Sequence, residues 1–190
     1  MGGGDPQIEL TGEVAFRASR GTRVADFLKL FERNQTMYDS AHFTLNDQVA
    51  VITGAGAGIG RAIAETFAAA GASVMVSDRD VGAASAVADA IQARKGQAAA
   101  MACDVTNEEN LALLVLTTAR RFGKLTILVS NAGGGGPKPF EMPMADFRRA
   151  YDLNVFSFFR LAQLAAPEME KAGGGSILAI TSMAGDNKNQ

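Results

Sequence analysis

Histidine and cysteine are nearly missing from this chain, with one of each, His42 and Cys103, among 190 residues. A single cysteine excludes an internal disulfide, and a single histidine in a polar stretch offers no metal site and carries no assigned role. No apolar run approaches the roughly 20 residues of a membrane-spanning helix. The start Met1-Gly2-Gly3-Gly4-Asp5-Pro6 has no apolar signal-peptide core, and Pro6 stands where a myristoylation signal needs Ser or Thr. A one-sided charge is also lacking: a net charge of −2 gives nucleic acid or an anionic membrane no footing. These absences leave an expected cytoplasmic globular protein, long enough for one α/β domain and too short for two.

Glycine is abundant and concentrated. The β-branched run Val49-Ala50-Val51-Ile52-Thr53 enters the turn Gly54-Ala55-Gly56-Ala57-Gly58-Ile59-Gly60. An Ala-rich segment with helical spacing follows, Ile59, Ile63, Phe67 and Ala70. Strand, tight turn and helix are therefore expected, with the free N–H groups of the helix start aimed at a phosphate. A second buried strand is read in Ala72–Ser77, ending at Asp78, 18 residues beyond Gly60. A carboxylate there suits the ribose hydroxyls of a dinucleotide, although a purely structural βαβ unit is the competing explanation.

Further on, the pattern predicts a helix over 81–94 closed by Gly96 and a strand over 97–103, with Cys103 a buried small side chain. A helix follows, opened by a capping box with Thr106 as N-cap and Glu109, and running to Phe122-Gly123. A fourth strand is expected over Leu125–Ser130 and a fifth over 176–181. Between them lies a long helix, 144–171, with Phe147, Tyr151, Phe158, Leu161 and Ala165 on one face. Asn154 falls on that apolar line, where an amide must find partners. The alternation predicts an incomplete Rossmann-type α/β fold, a doubly wound parallel sheet of about five strands with helices on both faces. The loop Asn131–Pro137 then sits at the carboxyl edge, its glycines either linker or a close approach to a cofactor. Ser182, at the end of strand five, is by itself an ordinary turn residue.

Residues 1–36 do not share this rhythm. Only Val24–Phe31 suggests a short amphipathic helix, and the acids Asp5, Glu9, Glu13, Asp26 and Glu32 argue against a transit peptide despite Arg17, Arg20 and Arg23. Met37 is the expected working start, with residues 1–36 an extension without order and 37–190 the nucleotide-binding domain.

The glycine spacing, Thr53-Gly54-x-x-x-Gly58-x-Gly60, resembles that of the short-chain dehydrogenase/reductase family, as does Asn131-Ala132-Gly133, preceded here by Ser130 where the family usually has Asn. The stretches Gly133–Phe140, Met142–Tyr151 and Leu153–Phe159 are similar to bacterial members that act at C7 of bile-acid-type steroids. The resemblance implies reversible hydride transfer between NAD(H) and a secondary alcohol or ketone. It assigns the cofactor to Thr53, Gly54, Gly58, Ile59, Gly60 and Asp78, the adenine to Asp104 and Val105, and the nicotinamide ribose to Asn131, Ala132 and Gly133. It gives Ser182 a hydrogen bond to the reacting oxygen, gives Asn154 a water in a proton relay, and implies no metal. Asp78 would repel the 2′-phosphate of NADP, and Ala57 supplies no compensating base, so NAD is expected, with Arg79 a partial offset.

The family's Tyr-x-x-x-Lys pair, in which Lys lowers the pKa of the Tyr acid/base, does not occur in these 190 residues: neither Tyr38 nor Tyr151 has a Lys four positions on. Eight residues follow Ser182. The chain is therefore expected to match the first three-fifths of an enzyme and to expose an apolar edge at strand five, with marginal stability and aggregation. The resemblance also implies a homo-oligomer, a tetramer with the long helix at an interface. A non-catalytic dinucleotide-binding module and an inert fragment remain the competing functions.

Overall fold

The computed structural model describes Gln7–Ile8, Phe16–Arg17, residues 43–135 and residues 139–182. The chain divides into two units, Met1–Phe43 and Thr44–Gln190. In the first, Gln7–Ile8 pairs antiparallel with Phe16–Arg17. The helix expected over Val24–Phe31, the start at Met37, and His42 lie outside the described residues.

The second unit alternates strands and helices as the periodicity predicts: β1 Val49–Thr53, α1 Gly58–Ala69, β2 Ser73–Asp78, α2 Val81–Ala93, β3 Gln97–Ala102, α3 Glu108–Phe122, β4 Ile127–Ser130, α4 Met144–Tyr151, α5 Ser157–Lys171 and β5 Ser176–Ala179. The strands form one parallel sheet in the order β3-β2-β1-β4-β5. β1, buried along its whole length, is where the winding reverses. Its β-branched residues serve both layers. Ala50 and Ile52 pack with Ala64 and Ala68 of α1 and with Ala84, Val87 and Ile91 of α2, while Val51 packs with Leu111 and Leu114 of α3 and Leu161 and Ala165 of α5. Alanine on α1 and α2 lets the helices lie close to the sheet.

β4 is shorter at its start than the apolar run suggests. Thr126 N–H donates to Val49 O at 3.0 Å, while the Thr126 hydroxyl accepts from Val49 N at 2.9 Å. The side chain thus takes a place in the ladder that a backbone group would fill. The N-cap of α3 is also displaced by one residue. Asn107 Oδ1 accepts from Asn110 N at 3.0 Å, whereas the Thr106 hydroxyl donates to Asp104 at 2.7 Å, so the Thr106 capping box does not form. The nearby carboxylate outcompetes the helix for that hydroxyl.

The expected single helix over 144–171 is broken. Residues Asp152–Phe156 form a π turn between α4 and α5. Asn154 Nδ2 donates to Ala150 O at 2.8 Å, and the Ser157 hydroxyl donates to Leu153 O at 2.6 Å. Two side-chain donors inserted on helix carbonyls widen the turn. The apolar stripe divides there too. Leu161 and Ala165 are buried and Phe158 half-buried, but α4 buries nothing, and Phe147 and Tyr151 lie against each other in the open, their rings tilted by 41° with centroids 4.7 Å apart. Among the described residues β5 is the last strand on its side of the sheet, with Ile177, Leu178 and Ile180 each about 40% exposed.

Gly96 does not close α2 in the expected way. The left-handed position is Lys95, at φ 66°. Gly96 N–H donates to Ile91 O at 3.0 Å and Lys95 N–H to Gln92 O at 2.8 Å, the two bonds of a Schellman end. Gly96 is needed for packing, since a Cβ there would lie 2.7 Å from Ile91 Cγ2. The same ending on α1 uses Gly71 at φ 101°. Lysine therefore occupies a glycine position at a cost of about 1–2 kcal/mol, against about 0.5–1 kcal/mol of extra chain entropy for glycine. Lys95→Gly is expected to stabilise the domain by about 0.5–1 kcal/mol, read as a higher urea midpoint with an unchanged slope. A midpoint that is unchanged or lower would contradict this account.

Candidate functional site

The carboxyl ends of β1, β2, β3 and β4 enclose a cleft of about 300 Å³ lined by Gly54, Asp78, Arg79, Cys103, Asp104, Val105, Asn131, Ala132, Gly133 and Leu153. Its floor is set by β1 and β4. The Thr53 hydroxyl, fully buried, accepts from Asn131 N at 3.1 Å and Ala132 N at 3.0 Å. Asn131 Nδ2 donates in return to the carbonyls of Thr53 and Gly54, each at 3.0 Å. This exchange ties the glycine turn to the Asn131-Ala132-Gly133 loop.

The glycines differ in function. Gly54 and Gly58 have φ 62° and 55°, in the left-handed region. Gly60 is needed for space: a Cβ would lie 2.5 Å from Asn131 Nδ2 and closer still to the Gly54 carbonyl oxygen. Gly56, which spacing alone did not single out, also has no room, with a Cβ only 2.8 Å from Ala83 Cβ and 3.0 Å from Asp78 Oδ2. The unbroken alternation of Gly and Ala from 54 to 58 was the available signal. The start of α1 has Ala57 as N-cap, no side-chain cap and no acid in the first turn, while α2 and α3 are capped by Asp80 and Asn107. Gly58 and Ile59 stand exposed there, so the first amides of α1 are left for an anion.

Asp78 reaches the turn from β2. Its carboxylate accepts from Gly56 N at 2.9 Å and from Asp80 N at 3.0 Å. Asp104 is held by Thr106, whose hydroxyl and N–H keep its carboxyl below the usual range, with the positive charge of Arg79 adding to the effect. Val105 is buried beside it. The Cys103 thiol, 3% exposed, is pushed up by burial to about 11, which makes it a neutral wall residue at physiological pH. Among the described residues no three His, Cys, Asp or Glu side chains gather as a metal site, and no helix is long and apolar enough to cross a membrane.

Asn154 meets the loop rather than the cleft itself. Its Oδ1 accepts from Gly134 N at 3.0 Å and its Nδ2 donates to Gly134 O at 2.9 Å, a two-point grip on the two peptide groups of one residue. The residue is exposed, not buried as its place on the apolar line suggests, and its partners are backbone groups. Gly133 permits the approach, since a Cβ there would lie 2.9 Å from Asn154 Oδ1. The π turn also brings Leu153 into the cleft wall, which no sequence signal indicated. Ser182 stands exposed beyond β5 and is not among the cleft-lining residues.

A parallel sheet that reverses its winding at a glycine turn, with an uncapped helix start above it, is the nucleotide-binding arrangement of doubly wound α/β proteins. The chain belongs to the short chain dehydrogenase family, whose model matches residues 48–190. It is 63% identical over 153 residues to the 7α-hydroxysteroid dehydrogenase of Escherichia coli K12, covering 80% of this chain and 60% of that enzyme. A solved 7α-hydroxysteroid dehydrogenase complexed with NADH and 7-oxo glycochenodeoxycholic acid superimposes with a TM-score of 0.76 at 64% identity, over 77% of this chain and 57% of that one. Cyclohexanol dehydrogenase of Acinetobacter is 37% identical over 142 residues, 74% of this chain and 57% of that enzyme. The chain thus spans about 60% of the length of the 7α-hydroxysteroid dehydrogenase that it matches.

Two outcomes follow from the packing. Gly60→Ala is expected to force the turn from Asn131, costing about 1–3 kcal/mol in a denaturant melt; a cost below about 0.5 kcal/mol would show that the contact is slack. For Cys103, the folded value lies above the unfolded one, so its contribution to stability is complete below the ordinary thiol value of 9.0 and is lost as pH rises through about 11. Thiol-reagent labelling at pH 8 should therefore proceed only as fast as the domain opens. Labelling at the rate of a free thiol would contradict the burial.

Proposed function

We propose that this chain carries the cofactor half of an NAD(H)-dependent oxidoreductase acting on a secondary alcohol or ketone, with the 7α-hydroxyl of a bile-acid-type steroid as the favoured substrate. The observation that carries the reading is the convergence on one cleft of Gly54 from the glycine turn, Asp78, Asp104, Val105 and the Asn131-Ala132-Gly133 loop, with α1 beginning uncapped four residues after Gly54. NAD fits this donor set. Asp78 would receive the adenosine ribose hydroxyls, and Thr53, Gly54, Gly58, Ile59 and Gly60 would form the pyrophosphate turn. Asp104 and Val105 would flank the adenine, and Asn131, Ala132 and Gly133 would border the nicotinamide ribose. When bound, the nicotinamide supplies or accepts the hydride. Ser182 would donate a hydrogen bond to the substrate oxygen. Asn154 spends both amide hydrogens on Gly134 and Ala150, which leaves one lone pair on Oδ1 to hold a water. The steroid assignment is supported by the relative solved with NADH and 7-oxo glycochenodeoxycholic acid.

A non-catalytic dinucleotide-binding module is the second reading, a function that the cleft by itself would serve. A cytoplasmic location and a homo-oligomer go with the enzyme reading. For the oligomer, the support is the exposed apolar row Phe147, Tyr151, Val155, Phe156 and Phe159, which a second copy would cover.

Titration with NADH, followed by nicotinamide fluorescence, is expected to saturate and to favour NADH over NADPH by about tenfold, the size of a partly screened repulsion between Asp78 and a 2′-phosphate. Asp78→Ala should erase that preference. Sequencing the coding region beyond residue 190 then separates the two readings: a Tyr-x-x-x-Lys pair just downstream supports the enzyme, and its absence there supports the module. Absence of NADH binding would refute both.

A further inference from the structure

Asp78 has a second task that ribose recognition does not require. The glycine turn rests on the junction of β2 and α2. Ala55 N–H donates to Ser77 O at 2.9 Å, and Gly56 N–H donates to Asp78 Oδ2 at 2.9 Å. The seat is tight, because any Cβ on Gly56 would press on Ala83 and on the carboxylate itself. The other carboxylate oxygen accepts from Asp80 N and so orients the side chain. A carboxylate has about four acceptor sites, so two remain for ribose hydroxyls.

We propose that Asp78 is a positioning residue for the pyrophosphate cradle: by holding Gly56 N–H it fixes the turn so that the first amides of α1 point at the phosphates. Ribose selection and phosphate binding are thereby coupled through one side chain. This rests on the dinucleotide reading above. Glycine at 54, 56, 58 and 60 gives the turn many alternative conformations; Asn131 holds it at the Gly54 carbonyl, and the bond from Gly56 to a charged acceptor holds the middle of the turn.

The sign of the effect separates this role from charge alone. Removing a carboxylate beside a pyrophosphate removes repulsion and should tighten anion binding. Loss of the turn's anchor should weaken it. The probe is 2′,3′-dideoxyadenosine diphosphate, which keeps the adenine and pyrophosphate but has no ribose hydroxyl for Asp78 to bind, measured by calorimetry on the 190-residue chain. Asp78→Ala is expected to lose affinity for it by about tenfold, the scale of one hydrogen bond to a charged group. Asp78→Asn retains one acceptor for Gly56 and should stay within about threefold of the parent. Equal or tighter binding by Asp78→Ala would overturn the proposal, as would an Asp78→Asn loss as large as that of Ala. Hydrogen exchange without ligand supplies the independent arm. The Gly56 amide should exchange about tenfold faster in Asp78→Ala and near the parent rate in Asp78→Asn, with Val129 in the core unchanged. If the parent chain bound neither NADH nor the probe, the dinucleotide reading would fail, and the Gly56 exchange rate would still decide the anchor: faster in Asp78→Ala supports it, unchanged refutes it.

Discussion

The buried Thr53 hydroxyl is the contact on which the cleft depends. It lies at the end of the central strand, where the winding of the sheet reverses, and accepts two backbone N–H groups from the segment leaving β4. Asn131 completes the exchange by donating to the carbonyls of Thr53 and Gly54. The Thr53 hydroxyl is fully buried and its partners are half-buried, so leaving that hydroxyl without them would carry a desolvation penalty of about 1–3 kcal/mol. That penalty holds the two loops in register, and the first turn of α1 then fits against Asn131 only because residue 60 has no side chain.

From this tie the rest of the site extends in two directions. Toward β2 and β3, Asp78 and Asp104 bring two carboxylates to the cleft, which Arg79 also lines. Asp104 is satisfied locally by Thr106, and Asp78 by the glycine turn, so neither relies on the other. Toward α5, Asn154 grips Gly134 at both of its peptide groups, and this grip coincides with the π turn that splits the long helix. A regular helix would leave the Ala150 carbonyl to a backbone amide. Here the Asn154 side chain takes part of it, and the widened turn presents Leu153 to the cleft.

The places where local pattern misled share a cause. Thr106 and Glu109 have the spacing of a capping box, but Asp104, two residues upstream, binds the Thr106 hydroxyl more strongly than a helix amide does. Gly96 looks like the residue that ends α2, yet Lys95 takes the left-handed conformation and Gly96 is needed for its contact with Ile91. Phe147 and Tyr151 continue the apolar period of Leu161 and Ala165, but α4 lies off the core and exposes them. In each case periodicity identified a residue with the right chemistry, and a neighbour distant or off-period determined its partner.

Much of the molecule was nonetheless determined by the sequence alone. The β-branched run before the glycine turn, the alternation of strands with alanine-rich helices and the acid at the end of β2 specify a parallel doubly wound sheet, because hydrophobic period and turn chemistry act over a few residues and need no tertiary partner. The tertiary structure decided how those residues meet: Gly56 hung from Asp78, Asn131 locked to Thr53, Asn154 fastened to Gly134 and Leu153 turned into the cleft. These contacts join residues about 20 to 80 positions apart, and their existence depends on strand register and helix placement rather than on any local preference.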